Sequence, residues 1–353
     1  MEEITKDTKQ AADSTVSRRT FIADGALAAA AIGAVTVGGA AATALAQPGS
    51  GGAGGIPAGD IAILQFLAAA ELVEDDLWQQ YCELATSNPG FRAALERIDP
   101  AMVAYICQDR DDERSHAMLI NGFLQSIGAG VINLDAFRRL PSSVAPGAAR
   151  VGRLTNLSQL TVDTSWYLRY RGEGNPDFGD TFPQIVTINN RPTIPLSRNL
   201  SDREFDIIAQ SAAFHFAAIE QGGSSLYTYL SQRVSSPEAK SITASIGPTE
   251  VYHFAVFQTA LEGIRGLDGG NGLVFPDFQN NAQLRSMAQN LMPRPCRFLS
   301  PNLPLCSVIR PSLRQNSGAV AAATGLVQSG LFRGQSATFF NAVVALATAA
   351  DAV

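Results

Sequence analysis

The chain contains three histidines, and two of them close the same short pattern, Glu113-Arg-Ser-His116 and Glu250-Val-Tyr-His253. Residues three apart share one face of an α-helix, so each pattern lets a carboxylate and an imidazole reach the same metal ion. Another carboxylate precedes each pattern within an apolar helical stretch: Glu71 before the first, Glu220 before the second. The order Glu, Glu-x-x-His, Glu, Glu-x-x-His is that of a two-metal carboxylate site built inside a four-helix bundle. Four carboxylates and two imidazoles form an oxygen-rich set suited to two Fe or two Mn ions more than to Zn or Cu. Such a pair could move electrons in twos, which suits peroxide breakdown, ferrous oxidation or oxidation of an organic substrate by dioxygen.

Four helices must position these groups. Helix A is expected from Asp60, capping its own N-terminus, to about Leu84, with Leu64, Leu67, Glu71, Glu74 and Trp78 on one stripe. Glu74 is the alternative ligand to Glu71, and because Asp75 and Asp76 follow directly, this stretch also reads as a solvated helix edge carrying both glutamates. Helix B is expected from about Pro100 to Ile127, where Gly128 ends it. Within it Asp109 is either an orienting partner one turn before Glu113 or a solvated charge in the run Asp109 to Arg114. Helix C opens at the capping box Ser201-Asp-Arg-Glu204 and runs to about Gln232. Its His215 lies about 140° around the helix from Glu220 and reads as a packing or surface residue. Helix D opens at Ser236-Pro237 and reaches Gly266, with a kink or break at Gly247-Pro248.

Residues 129–200 form a long crossover, as a second helix pair returning parallel to the first requires. In it, the aromatic and β-branched stretch from Val162 and the run Gln184 to Ile188 before Asn189-Asn190 suggest a small β-hairpin. Residues 267–353 carry no motif and read as a helical extension, with helices over Asn281–Leu291, Ser317–Phe332 and Ser336–Ala350.

Charged residues are 16 % of the chain and hydrophobic ones 46 %, with net charge −6. That describes a folded protein, not a disordered one, and gives no support for nucleic-acid binding. Cys82, Cys107, Cys296 and Cys306 include no Cys-x-x-Cys pair, so zinc knuckles and rubredoxin-type iron have no support. Cys296 and Cys306 are expected to close a short disulfide loop, and Cys82 and Cys107 to be buried thiols.

The ordered motifs resemble the ferritin-like superfamily over about residues 58–266, and more narrowly the exported ferritin-like proteins that include desiccation-related ones. The resemblance implies an all-α bundle over residues 60–266, with Glu71, Glu113, His116, Glu220, Glu250 and His253 as metal ligands and Glu113 and Glu250 as bridges. It also implies a ligand glutamate seven residues before an aromatic, as Glu71 stands to Trp78; Tyr227 stands likewise to Glu220. Ser17-Arg-Arg-Thr-Phe-Ile22 resembles a twin-arginine export signal, with an Ala/Gly-rich run behind it and Ala44-Leu-Ala46 as a cleavage site. Residues 1–46 are therefore expected to be removed, 47–59 to be a Gly/Pro linker, and the mature protein to be periplasmic or extracellular with no membrane span. Three functions fit these expectations: a di-metal oxidoreductase handling dioxygen or peroxide under stress, an envelope scaffold that could assemble as a homo-oligomer, or an iron store.

Overall fold

The two motifs and the two lone glutamates come to lie on four long helices. These are α1 (Ala58–Ser87), α3 (Met102–Ser126), α5 (Asp202–Leu230) and α6 (Pro237–Ala260). The computed structural model describes residues 46–47, 55–169, 183–284, 295–308 and 318–353. α1 packs chiefly along α3, and α5 along α6; the two pairs enclose a core of Leu67, Trp78, Ile120, Phe216 and Phe257. This is a ferritin-like helical bundle, as the motif order predicts. A short helix, α2 (Pro89–Ile98), turns the chain between α1 and α3 and rests on α5. Its start follows from local chemistry: Asn88 accepts the Phe91 amide, and Pro89 supplies the first helical φ.

Asp60 does not cap its own helix. It lies inside the first turn of α1, and its carboxylate accepts the amides of Ser235 and Ser236 at 3.0 and 2.7 Å. It therefore pins the start of α6 to the start of α1. The Ser201–Glu204 capping box is formed. α6 continues through Pro248 without the expected break. At Gly247 the helix passes close to α5: a Cβ there would stand 3.0 Å from the Cβ of Tyr227, a tight contact.

The crossover forms strands β3 (Leu160–Val162) and β4 (Ile188–Arg191), with the four-residue helix α4 (Trp166–Arg169) after β3. β3 and β4 pair antiparallel, Val162 opposite Ile188. Asn189-Asn190 thus lies within the second strand and not at a connecting turn. The crossover is clamped onto α1 by Asp76, which is buried and not a solvated edge. One of its oxygens accepts the Leu154 and Thr155 amides at 2.9 Å each, and the other takes Arg138 at 2.6 Å.

Two more small ladders were not expected. β1 (Ala46–Gln47) pairs with β2 (Val131–Ile132) after α3. β5 (Leu267–Gly270) and β6 (Leu273–Phe275) form a hairpin just past α6, turning at Asn271 and Gly272, both with positive φ. In the extension, α7 (Ala319–Ser329) and α8 (Ala337–Asp351) pack on each other, and α8 covers α1. The helix expected over 281–291 falls largely outside the described residues, as does the export-signal stretch.

The cysteine expectation reverses. Cys82 on α1 and Cys107 on α3 form a disulfide, while Cys296 and Cys306 are free. Cys296 and Cys306 face each other as an antiparallel bridge, joined through their backbone amides at 2.9 and 3.0 Å. No helix among the described residues is long and apolar enough to cross a membrane.

Candidate metal centre

The six residues expected as ligands converge in the bundle core, and Asp109 joins them. They form two donor groups, Glu71, Glu113, His116 and Glu250 in one, and Asp109, Glu113, Glu220 and His253 in the other. Within each group the donor atoms lie within 4.8 Å of one another, and all seven residues are buried.

Glu113 belongs to both groups. Its Oε2 lies 3.1 Å from His116 Nδ1 and its Oε1 lies 3.0 Å from His253 Nδ1. The rings of His116 and His253 are inclined by 28°, with centroids 6.2 Å apart. Glu71 Oε2 and Glu250 Oε1 each stand 3.4 Å from His116 Nδ1. On the other side, Asp109 Oδ1 and Glu220 Oε2 stand 2.8 and 3.2 Å from His253 Nδ1. Of the two glutamates expected as bridges, Glu113 is common to both groups and Glu250 falls in the His116 group. Asp109 stands in the His253 group where Glu250 stands in the His116 group.

The two lone glutamates are held by aromatic donors from the opposite half. Trp78 Nε1 donates to Glu220 Oε1 at 2.9 Å, and the Tyr227 hydroxyl donates to Glu71 Oε1. Each interaction fixes one carboxylate oxygen and leaves the other facing a histidine. Asp112, on the exposed side of α3, contacts His253 Nε2 at 3.0 Å. That contact orients the ring with Nδ1 toward the donor group, as carboxylate partners of metal-binding histidines do.

The electrostatics are those of an under-neutralised anionic core. Burial and mutual repulsion push Glu113 well above the usual carboxylate range, and burial pushes Glu220 and Glu250 to about 7. Asp109 is raised by burial despite His253 beside it. Glu71 is held low against its burial, by hydrogen bonds within the group, from His116 first. Burial alone would lower both histidines, but the surrounding carboxylates raise them. Among the described residues, Glu71 Oε2, Asp109 Oδ1, Glu113 Oε1 and Glu250 Oε1 have only a histidine Nδ1 beside them, at 2.8 to 3.4 Å and without hydrogen-bond geometry, and Asp109 Oδ2 and Glu250 Oε2 have no partner. Orphaned buried charge of this kind is costly unless cations neutralise it. The donor set thus fits metal ions.

Glu74 belongs to neither donor group. Burial and the nearby Glu250, Glu113, Glu220 and Glu71 raise its carboxyl well above the ordinary range. Glu71 is accordingly the helix-A member of the cluster. His215 is buried away from it, with Nδ1 2.8 Å from the Tyr81 hydroxyl, which donates to Thr193.

Asp109 is the residue that sequence reasoning left unresolved. The usable signal was the stripe Met102, Ile106, Asp109, Glu113, His116, Ile120 and Leu124, all buried, into which Asp109 fits at helical spacing. The model of one family, described as a ferritin-like domain, matches residues 59–263. No curated protein and no solved structure matches the chain.

Proposed function

The chain belongs to the ferritin-like domain family, and from that premise we propose that it is an exported protein carrying a pair of Fe or Mn ions for dioxygen or peroxide chemistry. The observation that carries the reading is the convergence of two donor groups on Glu113, with six buried carboxylate oxygens among them that make no well-formed hydrogen bond among the described residues. One ion would be held by Glu71, Glu113, His116 and Glu250, and the other by Asp109, Glu113, Glu220 and His253. When bound, such a pair supplies paired electron transfer at one place.

The chain's own residues prepare that place. Trp78 and Tyr227 fix one oxygen each of Glu220 and Glu71, and Asp112 aims His253. Tyr227 stays a protonated donor, because burial and the anionic cluster raise its hydroxyl far above the ordinary tyrosine range. Buried aromatic rings, Trp78 stacked on Phe257 with Phe216 against both, exclude water beneath the second group. The Cys82–Cys107 disulfide supports an oxidising compartment and hence the export reading.

The test is metal content of protein exported by its own leader and purified without chelator. About two Fe or Mn per chain, lost in the Glu113→Ala/Glu250→Ala double variant, would carry the reading forward to peroxide and dioxygen consumption assays. Metal well below one per chain, even after anaerobic loading with Fe²⁺ and Mn²⁺, would refute it and leave the bundle as a scaffold.

A further inference from the structure

A cavity of about 380 Å³ lies between α1, α5, the β3–β4 ladder and α7. Its size falls within the range of small-molecule sites. Phe66, Val73, Leu77, Ile219, Leu226 and Leu331 give it an apolar wall. At its inner end are Glu74 and Gly223. A Cβ at Gly223 would stand 2.2 Å from Glu250 Oε2. The wall between the cavity and the donor cluster is there a backbone without a side chain. Glu250 turns one oxygen to His116 and its other, partnerless, toward that wall. The outer end carries exposed neutral groups, Thr161, Gln184, Asn189 and Gln328.

Two features of the lining define what would fit. No lysine or arginine is among the described lining residues, and its acidic groups are Glu74 and Asp163. A carboxylate or phosphate ligand would meet acidic groups and, among the described residues, no counter-ion. Trp166, also in the lining, is fully buried, and its indole N–H has no acceptor among the described residues. A buried donor without an acceptor is expensive, so a ligand oxygen would be stabilising there.

We propose that this cavity binds a neutral, lipophilic molecule bearing a carbonyl or ether oxygen, and brings it against the Glu250 side of the cluster. As a chamber serving a metal pair, this rests on the reading above; as a binding site, it does not.

The experiment uses 2-undecanone as probe and undecanoate as its charged counterpart, titrated calorimetrically into metal-free and Co²⁺-loaded protein. The ketone is expected to bind one per chain, and undecanoate at least tenfold more weakly. Ala322→Phe, which fills the cavity from α7, should abolish binding, and Trp166→Phe should weaken it several-fold; circular dichroism checks that both variants fold. Ala218→Leu, filling from α5, serves if Ala322→Phe does not fold. In the Co²⁺ form the ketone should also shift the visible absorption bands. No ketone binding, equal binding of undecanoate, or binding unchanged in the filled variants would overturn the proposal. Binding that leaves the Co²⁺ bands unmoved would overturn the link to the cluster. Ketone binding by protein that takes up no metal would refute the metal reading while the cavity site stands.

Discussion

Replacing Gly223 by alanine should separate metal binding from folding. The added Cβ would lie 2.2 Å from Glu250 Oε2 and 3.2 Å from its Cδ. An ordinary carbon–oxygen contact is longer by about 1 Å, so the carboxylate must move by about that much. Metal–ligand distances tolerate only about 0.2 Å. The His116 group therefore loses or misplaces one donor, and its ion should bind about 10- to 100-fold more weakly, which is about 1.4 to 2.7 kcal/mol. The His253 group lacks Glu250 and should keep its ion. The helix itself gains, because alanine in place of glycine inside a helix is worth up to about 1 kcal/mol. The metal-free variant should melt no lower than the parent. Gly122→Ala is the control: Gly122 is also helical, and nothing lies within 4 Å of its added Cβ. Competition against a chromophoric chelator gives the two affinities, and circular dichroism gives the melting temperatures. Unchanged affinity for both ions in Gly223→Ala would refute the placement of Glu250 as a donor held at that wall.

Three further outcomes follow from the same geometry. Glu113→Ala should lose both ions, whereas Asp109→Ala should retain about one per chain, in the His116 group; equal losses by mass spectrometry would contradict the two-group arrangement. Asp76→Ala should destabilise the protein by about 3 to 5 kcal/mol in urea, because it strands Arg138 and the Leu154 and Thr155 amides; a loss below about 1 kcal/mol, the scale of a surface ion pair, would show that Asp76 does not clamp the crossover. His215 is pushed by burial from 6.5 to about 3, so it stays neutral in the fold but protonates when unfolded. Its stabilising contribution is fully present above pH 6.5 and is lost as pH falls from 6.5 toward 3, by roughly 5 kcal/mol at most. His215→Gln should therefore flatten the melting temperature between pH 6.5 and 4; an unchanged acid slope would show that His215 is not held neutral.

The bundle was legible because its signals are local. A capping box, a Pro at the first helical position and an apolar stripe each depend on residues within one or two turns. The ligand set was legible for the same reason, since Glu-x-x-His describes one helix face. What was lost depends on which faces are covered by distant chain. α1 is buried on nearly all sides, because α8 and the crossover pack where solvent was expected. That is why Asp76 reads as an edge residue and is a buried clamp, and why Asp60 binds α6. The charge run from Asp109 to Arg114 misled in the same way: Asp109 and Glu113 turn inward while Asp111, Asp112 and Arg114 remain exposed. The disulfide required the register between α1 and α3. The ion pair Asp75–Arg114 and the bridge Cys82–Cys107 share one antiparallel register, seven residues further along α1 and seven back along α3.

The parallel between Glu71–Trp78 and Glu220–Tyr227 acquires its physical meaning only across the bundle. Within one helix, residues seven apart lie on the same face two turns away, too far for the aromatic to bond its own glutamate. Opposed on α1 and α5, the two pairs exchange partners: Trp78 donates to Glu220 and Tyr227 donates to Glu71. The seven-residue spacing is then the offset that lets each aromatic reach the glutamate of the other half. The exchange explains why donors, and not apolar rings, stand there. Each glutamate would otherwise have two oxygens to satisfy in a core without lysine or arginine partners among the described residues. An N–H or O–H takes one oxygen and turns the other toward a histidine. Glu250 lacks such a donor: one oxygen faces only His116, and the other has no partner among the described residues. The core is therefore two-fold in its ligand scaffold but not in its chemistry: the open side faces Gly223 and the apolar cavity, and the closed side faces Trp78 and the aromatic cluster.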